Sequence, residues 1–583
     1  MTPVVSTARI DGLRPASLVM DLARLGSMHA SRLSFVRSLT RKMLTEHWQI
    51  TRTRFDLDAN GHGLAIYRLN TPTNRYHCVI FSRELPPEAR SDRVIAEAWD
   101  LTFALVDGEV EDSLLAHMAD NVPLQEAGRQ HPRVLVLSRA NKSLRNFSHF
   151  VTALADGRQP DPAWLTAVGY LYRTTAVYGN GKFGIADFAR LKGNPDFNRP
   201  FAAEMCAVYM LRHFSIEQLN HLARARAPER AVSLDPDLQR YLGIGNSTGL
   251  GMAPFLINHP QLIQQWIYGR ERALAYAQQQ PASPPKRDQL LALLRRARVY
   301  LQQTVTEDAA QTARNQATVA AVVTIIDWLQ QTPASGDLYR QLTAWALQHC
   351  PLEAQELIHS LLIELYPEFT DTLDDEFGYQ ESMDLKPDMK AEHLKALIED
   401  KFGWALNYSE QDPADNYWFW YRSAEKEEPR LGIRHQEAGA DKELPLAIGP
   451  RLCRCYHRLV AFLQNCPTAM VVEFLLAHPE QKSCVRRLQT MADTPYGEIR
   501  ANLWHRDMKP MHLLRTKLSF FGAGRFDPKS ERWVRITLFQ GAPLVHELND
   551  ATLSVAELDD WSFPAEPVLQ DNHPEPGHIR SIV

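Results

Sequence analysis

The sequence predicts a mixed α+β fold that is predominantly helical. Three patterns carry that expectation: strand-like alternation between residues 47 and 82, helical periodicity from Trp164 to Tyr366, and a return to short strands and helices after the acidic stretch Asp371 to Met389. At 583 residues the chain exceeds what one core usually serves, so several domains are expected. The boundaries fall at an N-terminal α+β unit over 1–160, a helix bundle with glycine-rich loops over 161–370, a C-terminal α+β unit over 371–563, and a poorly ordered tail over 564–583.

The N-terminal unit follows from its alternation. Trp48 to Thr51, Phe55 to Leu57, Leu64 to Tyr67 and Tyr76 to Phe81 read as a three-stranded antiparallel meander, with Asn60-Gly61 supplying the positive φ of a hairpin turn. Leu101 to Val106 and Val134 to Leu137 extend the same sheet. In the central region Ala202-Met205-Val208-Leu211, Leu290-Leu293-Leu294 and Val319-Val322-Ile326-Leu329 repeat at helical spacing. The proline-rich runs 281–285 and 333–336 are read as inter-helix loops. The C-terminal unit contributes helices near 390–402, 451–464, 469–477 and 480–491, an aromatic strand over 417–421 and a strand over 533–538.

Composition narrows the function classes. A net charge of -5, from 64 Lys+Arg against 69 Asp+Glu, provides no global field for nucleic acid or lipid headgroups. No window approaches the ~20 apolar residues that a bilayer span needs, and residues 1–15 lack the apolar run of a signal peptide. Seven cysteines in so long a chain suit a reducing, cytoplasmic setting. No finger-like spacing of Cys and His predicts a metal site, and the cofactor is left open. Nucleic acid is disfavoured as a partner, and the basic runs 221–230 and 295–298 read as solvated helix faces. A homo-oligomer is left open.

The chemistry therefore has to be local. Two phrases match: Arg173-Thr174 leading through Gly179-Asn180-Gly181-Lys182-Phe183, and Arg515-Thr516 leading through Gly522-Ala523-Gly524-Arg525-Phe526. Glycines one apart let backbone amides converge on an anion, and the following cation adds a full charge. A third segment, Gly243-Ile244-Gly245-Asn246-Ser247-Thr248-Gly249-Leu250-Gly251, is expected to be a loop running into a helix from Pro254, where orphan amides and the hydroxyls of Ser247 and Thr248 would favour negative charge. Its glycine spacing and the short helix before it disfavour a dinucleotide fold, and Ser247 lacks the preceding strand of a nucleophile elbow.

A fourth, charge-dense segment places Arg422 and Arg430 as carboxylate or phosphate clamps and Glu427 and Glu428 as acid–base candidates, with Asp187 a further one. Each feature has an architectural alternative, as a turn or a surface salt-bridge lattice. The combined expectation is a cytosolic enzyme acting on a small phosphate-, carboxylate- or nucleotide-bearing metabolite, its reaction type open. The sites are Arg173, Asn180, Lys182, Ser247, Thr248, Arg422, Arg430, Arg515 and Arg525. The alternative is a non-catalytic interaction protein with a helical docking surface.

Overall fold

The computed structural model of the chain describes residues 12–85, 99–121, 131–165, 168–174, 176, 191, 193–249, 260–374, 376–377, 385–407, 448–499, 510–530, 533–550 and 552–569. It is a helix-dominated α+β fold built on one nine-stranded mixed sheet. The meander forms as its alternation predicts: β1 (Gln49–Leu57), β2 (Gly63–Asn70) and β3 (Arg75–Ser82) pair antiparallel, and β4 (Leu101–Asp107) and β5 (Val134–Lys142) continue the ladder. At the first turn Gly61 takes φ +77°, and the Asp58 carboxylate accepts the amides of Asn60 and His62 at 2.8 and 2.9 Å.

The side-chain period of two explains why β3 and β4 are apolar on both faces. Tyr76, Cys78, Ile80, Phe103 and Leu105 join the main core, whereas Val79, Phe81, Ala104 and Val106 face a smaller cluster with Leu114 and Met118 of the helix Asp112–Asn121.

Four further strands complete the sheet, in the order β5, β6 (Tyr170–Thr174), β7 (Gly243–Gly249), β9 (Trp533–Leu538), β8 (Arg525–Ser530). The structure differs here from the sequence expectation. The stretch from 164 was expected to be wholly helical, yet it contributes β6 and β7, and the glycine-rich segment at 243–249 is a strand instead of a loop. The next described helix begins at Pro260, and residues 250–259 lie outside the described set. Because β6 and β7 are parallel, a long crossover has to join them. That crossover contains α1 (Ala202–Arg226), 25 residues long and buried around most of its circumference, as a helix covering a sheet is.

The glycines of β7 are used for close packing. A Cβ on Gly245 would sit 2.5 Å from the Tyr170 ring, and one on Gly243 would sit 2.5 Å from the Leu538 carbonyl and the Thr537 methyl. Glycine-rich strands lack the alternation that betrays a strand in sequence, which is why this one reads as a loop. Gly245→Ala is expected to destabilise the chain by about 1–3 kcal/mol through overpacking, read from the denaturant midpoint. An unchanged midpoint would show that Tyr170 simply moves aside.

Between β7 and β8 lies the helical mass: α2 (Pro260–Gln279), α3 (Pro284–Gln303), α4 (Ala309–Gln331), α5 (Leu338–His349), α6 (Leu352–Glu364), α7 (Pro367–Asp374), then the helices Ala391–Phe402, Ile448–Asn465, Val471–Ala477 and Lys482–Met491, and finally α8 (Pro510–Phe521). The strands of β1–β5, β6–β7 and β8–β9 thus come from all three stretches of sequence. His478 caps the helix Val471–Ala477 before Pro479. Among the described residues no helix is long and apolar enough to cross a membrane.

Arginines fasten these layers together. Arg212 of α1, almost fully buried, donates to the carbonyls of Leu242, Pro543, Gln239, Arg240 and Ala542 at 2.6–3.2 Å, tying the β7 entry to the turn after β9. The N-terminal residues Arg32, Arg37 and Arg41 reach Glu364, Asp371, Asp374 and Asp559, a set of carboxylates drawn from α6, α7 and the C-terminal segment.

Candidate functional site

The site is built where α8 meets β8. Gly522 ends α8 with φ +81°, the left-handed residue that closes a helix without a Cβ penalty. The amides of Gly522 and Ala523 both donate to the Leu518 carbonyl at 3.0 and 3.1 Å, and that of Gly524 donates to Thr537 at 2.7 Å. The anion nest expected of this glycine pair is thus absent, because its amides are spent on the helix cap and the sheet. The turn instead forms one wall of a cavity of about 70 Å³.

Other walls come from far along the chain. His29 and Arg37 arrive from the N-terminal region, Tyr300 from α3, Gln311 and Asn315 from α4, and Glu353 from α6. Arg515, Leu518 and Phe526 flank the turn, Gln540 follows β9, and Trp561-Ser562-Phe563-Pro564 pass over the top. That covering segment is anchored by Arg37, which donates to the Ser562 hydroxyl at 2.5 Å and to the Asp559 carbonyl at 2.8 Å. Phe563, at φ +53°, lays its ring 6.0 Å from His29 and 5.6 Å from Tyr300.

The electrostatics are unusual in one respect. Five lining residues carry a buried side-chain nitrogen with no hydrogen-bond partner among the described residues: His29 Nε2, Arg37 Nε, Arg515 Nε, Gln540 Nε2 and Trp561 Nε1. All five residues are more than nine-tenths buried, with exposures of 6, 4, 3, 1 and 7%. No oxygen of a lining residue is left in the same state. Each of these atoms is itself closed off from the hollow, and because leaving a buried donor unmet costs ~1–3 kcal/mol, the other contacts of these side chains must hold them in place against that penalty.

Ionisation inside the cavity is settled by burial and pairing. Burial pushes the His29 imidazole down to about 4 despite the pull of Glu353, so it is uncharged near neutral pH. Burial alone would raise the Glu353 carboxyl, but the Arg515 guanidinium, to which it is hydrogen-bonded, outweighs that and holds it below the usual carboxylate range. Arg314 adds a second cation 3.3 Å from Glu353.

The sequence-derived candidates distribute unevenly around this site. Arg515 lines the cavity, with its guanidinium carbon 5.0 Å from the Phe526 ring centre. Arg525 lies behind the wall, donating to Gln540 Oε1 at 3.2 Å and to the Tyr241 hydroxyl, and stacking 5.9 Å from Tyr300. Arg173 sits in β6 opposite Gly245 and is not among the lining residues. Ser247 and Thr248 pair in β7 with Arg535 and Val534, in a strand instead of at a helix start. Asn180, Lys182, Asp187, Arg422, Glu427, Glu428 and Arg430 lie outside the described residues, as does the aromatic run 417–421.

Sequence reasoning missed His29, Arg37, Glu353, Gln540 and Trp561. One signal was present in part: α6 carries Glu353, Glu356 and Glu364 among Leu357, Ile358, Leu361 and Leu362, and carboxylates on so apolar a helix must find buried cations. His29, Gln540 and Trp561 have no local signature. Compared with protein-family models, curated proteins and solved structures, the chain matches none.

Proposed function

We propose that the chain takes up a small anion in the cavity beneath residues 561–564, as an enzyme acting on a carboxylate- or phosphate-bearing metabolite does. The observation that carries this reading is a cavity to whose lining two guanidinium side chains, Arg37 and Arg515, and the neutral polar side chains of His29, Gln311, Asn315 and Gln540 all contribute. Those groups suit an acceptor-rich ligand, and the aromatic walls give its remainder an apolar bed. The reducing cytoplasm expected from the sparse cysteines suits such a role.

A docking role would call for a contiguous exposed apolar patch. Among the described residues Met470, Val472 and Leu476 are exposed together at the helix Val471–Ala477, while Leu144, Trp164, Leu347 and Val568 sit on separate elements, so ligand uptake in the lined cavity is the better supported reading.

A thermal-shift screen of the full chain against carboxylates, phosphates and nucleotides tests the proposal. A ligand that binds only the folded state adds about 2.7 kcal/mol at one hundred times its Kd, and at least one of these anions is expected to raise the Tm measurably. No shift with any member of the panel overturns the reading.

A further inference from the structure

We propose that Cys455 and Cys484 are a peroxide-oxidisable dithiol, joined by a reversible disulfide when a hydroperoxide reaches the partly exposed Cys484. The two residues stand on helices that pack together, Ile448–Asn465 and Lys482–Met491, and outside the lining of the cavity.

Geometry sets this pair apart among the seven cysteines. Cys484 Sγ lies 3.9 Å from the carbonyl oxygen of Arg451. Arg451 precedes Cys455 by one helical turn, so that carbonyl points along the helix to the Cys455 amide. The thiols are themselves hydrogen-bonded, with Cys455 donating to Cys484. Cys453, about 200° around the same helix, is directed elsewhere, its sulfur 3.5 Å from the Leu406 carbonyl and 3.8 Å from His457 Nδ1.

The two sulfurs divide the chemistry. The hydrogen bond from Cys455 holds the Cys484 thiol below its ordinary value against the effect of burial, and the Arg451 and Arg487 guanidinium groups act the same way. Glu498, bonded to Arg487 at 2.8 Å, opposes them. The same hydrogen bond, together with burial, raises Cys455 and keeps it protonated. Access follows the same division: Cys455 has no exposed surface, whereas Cys484 is partly exposed next to the exposed Lys482 and Ser483.

In the first step the Cys484 thiolate attacks one peroxide oxygen. An S–O bond forms, the O–O bond breaks, and the departing hydroxide is protonated to water. The Cys455 sulfur then attacks Cys484, forming the S–S bond and expelling a second hydroxide, which takes the Cys455 proton and leaves as water. The pair of thiols gives up two electrons and the peroxide accepts them. Thiol reductants reverse the reaction, as a disulfide in a reducing cytoplasm requires.

The test treats the reduced full chain with hydrogen peroxide near pH 7, unfolds it, alkylates the remaining thiols and digests it without reductant. Mass spectrometry is expected to find the Cys455 and Cys484 peptides cross-linked and separated again by dithiothreitol, while Cys78 and Cys206, which have no exposed surface, are recovered alkylated. Cys455→Ser removes the second step, so a dimedone adduct of the sulfenic acid should accumulate on Cys484 about tenfold above the unsubstituted chain. Should that variant fail to fold, the cross-link in the unsubstituted chain decides by itself.

Recovery of Cys455 and Cys484 as alkylated thiols overturns the proposal. So does Cys484 joined to any other cysteine, or oxidation that takes Cys78 and Cys206 to the same extent.

Discussion

Acidification from about pH 7 to pH 4.5 is expected to strip this protein of most of its stability, in a decline that begins above the pH at which carboxylates ordinarily protonate. His29 and His359 are both buried, and burial lowers each imidazole from 6.5 to about 4. His359 faces Arg14 and Arg270, which push the same way, and Glu356, which opposes them; His29 faces Arg515 and the carboxylates Glu353 and Glu356. A histidine whose folded pKa is depressed contributes stability in full above its unfolded value. That stability falls away as the unfolded chain gains protons the folded chain refuses, between about 6.5 and 4.

At 1.36 kcal/mol for each unit of pKa the loss is roughly 3 kcal/mol for each residue, which together approaches the whole stability of a typical fold. His213, also lowered by burial, adds in the same direction. Glu498 and Asp527, raised by burial, work against it. Urea midpoints at about pH 7, 5.5 and 4.5 give the slope, and His359→Asn should flatten it. A midpoint unchanged down to pH 4.5 would show that these imidazoles titrate normally.

The second large effect belongs to Glu356. Its carboxylate, fully buried in α6, accepts from Arg14 at 2.8 Å, Arg24 at 2.7 Å and Arg270 at 2.9 Å, and lies 3.3 Å from His359. Burial would raise its pKa, yet these cations hold it well below the carboxylate range. Glu271, the other acid here, takes a bidentate pair from Arg14 at 2.7 and 2.8 Å. Removing the Glu356 charge leaves three buried guanidinium groups against one carboxylate, and breaking a buried pair in this way costs about 3–5 kcal/mol.

Glu356→Gln should therefore lower the denaturant midpoint sharply and loosen the N-terminal segment that carries Arg14 and Arg24. Combining Glu356→Leu with Arg270→Met should recover part of the loss, because it removes a donor together with its acceptor. A single substitution costing less than about 1 kcal/mol, the ceiling for an exposed pair, would mean that water reaches this cluster.

How much of the site was legible depends on the range of the interactions that make it. The phrase from Arg515 to Phe526 drew attention for its glycines and cations, and in the structure it supplies a wall of the cavity. The reason differs: its amides are consumed by the helix cap, and what it presents is the Arg515 side chain. The segment 243–249 looked like an anion loop because glycine has no side-chain period, and the bulk of Tyr170 and Thr537 explains why glycine stands there.

Some properties need only the sequence. The meander, the long helices and the absence of a bilayer-length apolar run follow from periodicity and turn residues, which act over a few positions. Which charges would be buried, and opposite what, depended on contacts such as Arg24 with Glu356, 332 positions apart, and Arg37 with Asp559, 522 apart. The parallel placement of β6 beside β7 and the meeting of His29, Arg37, Tyr300, Glu353 and Arg515 at one cavity are of the same kind. Periodicity is set by neighbouring residues, whereas burial of a charge is set by whatever the folded chain carries to it, and only the tertiary structure decides that.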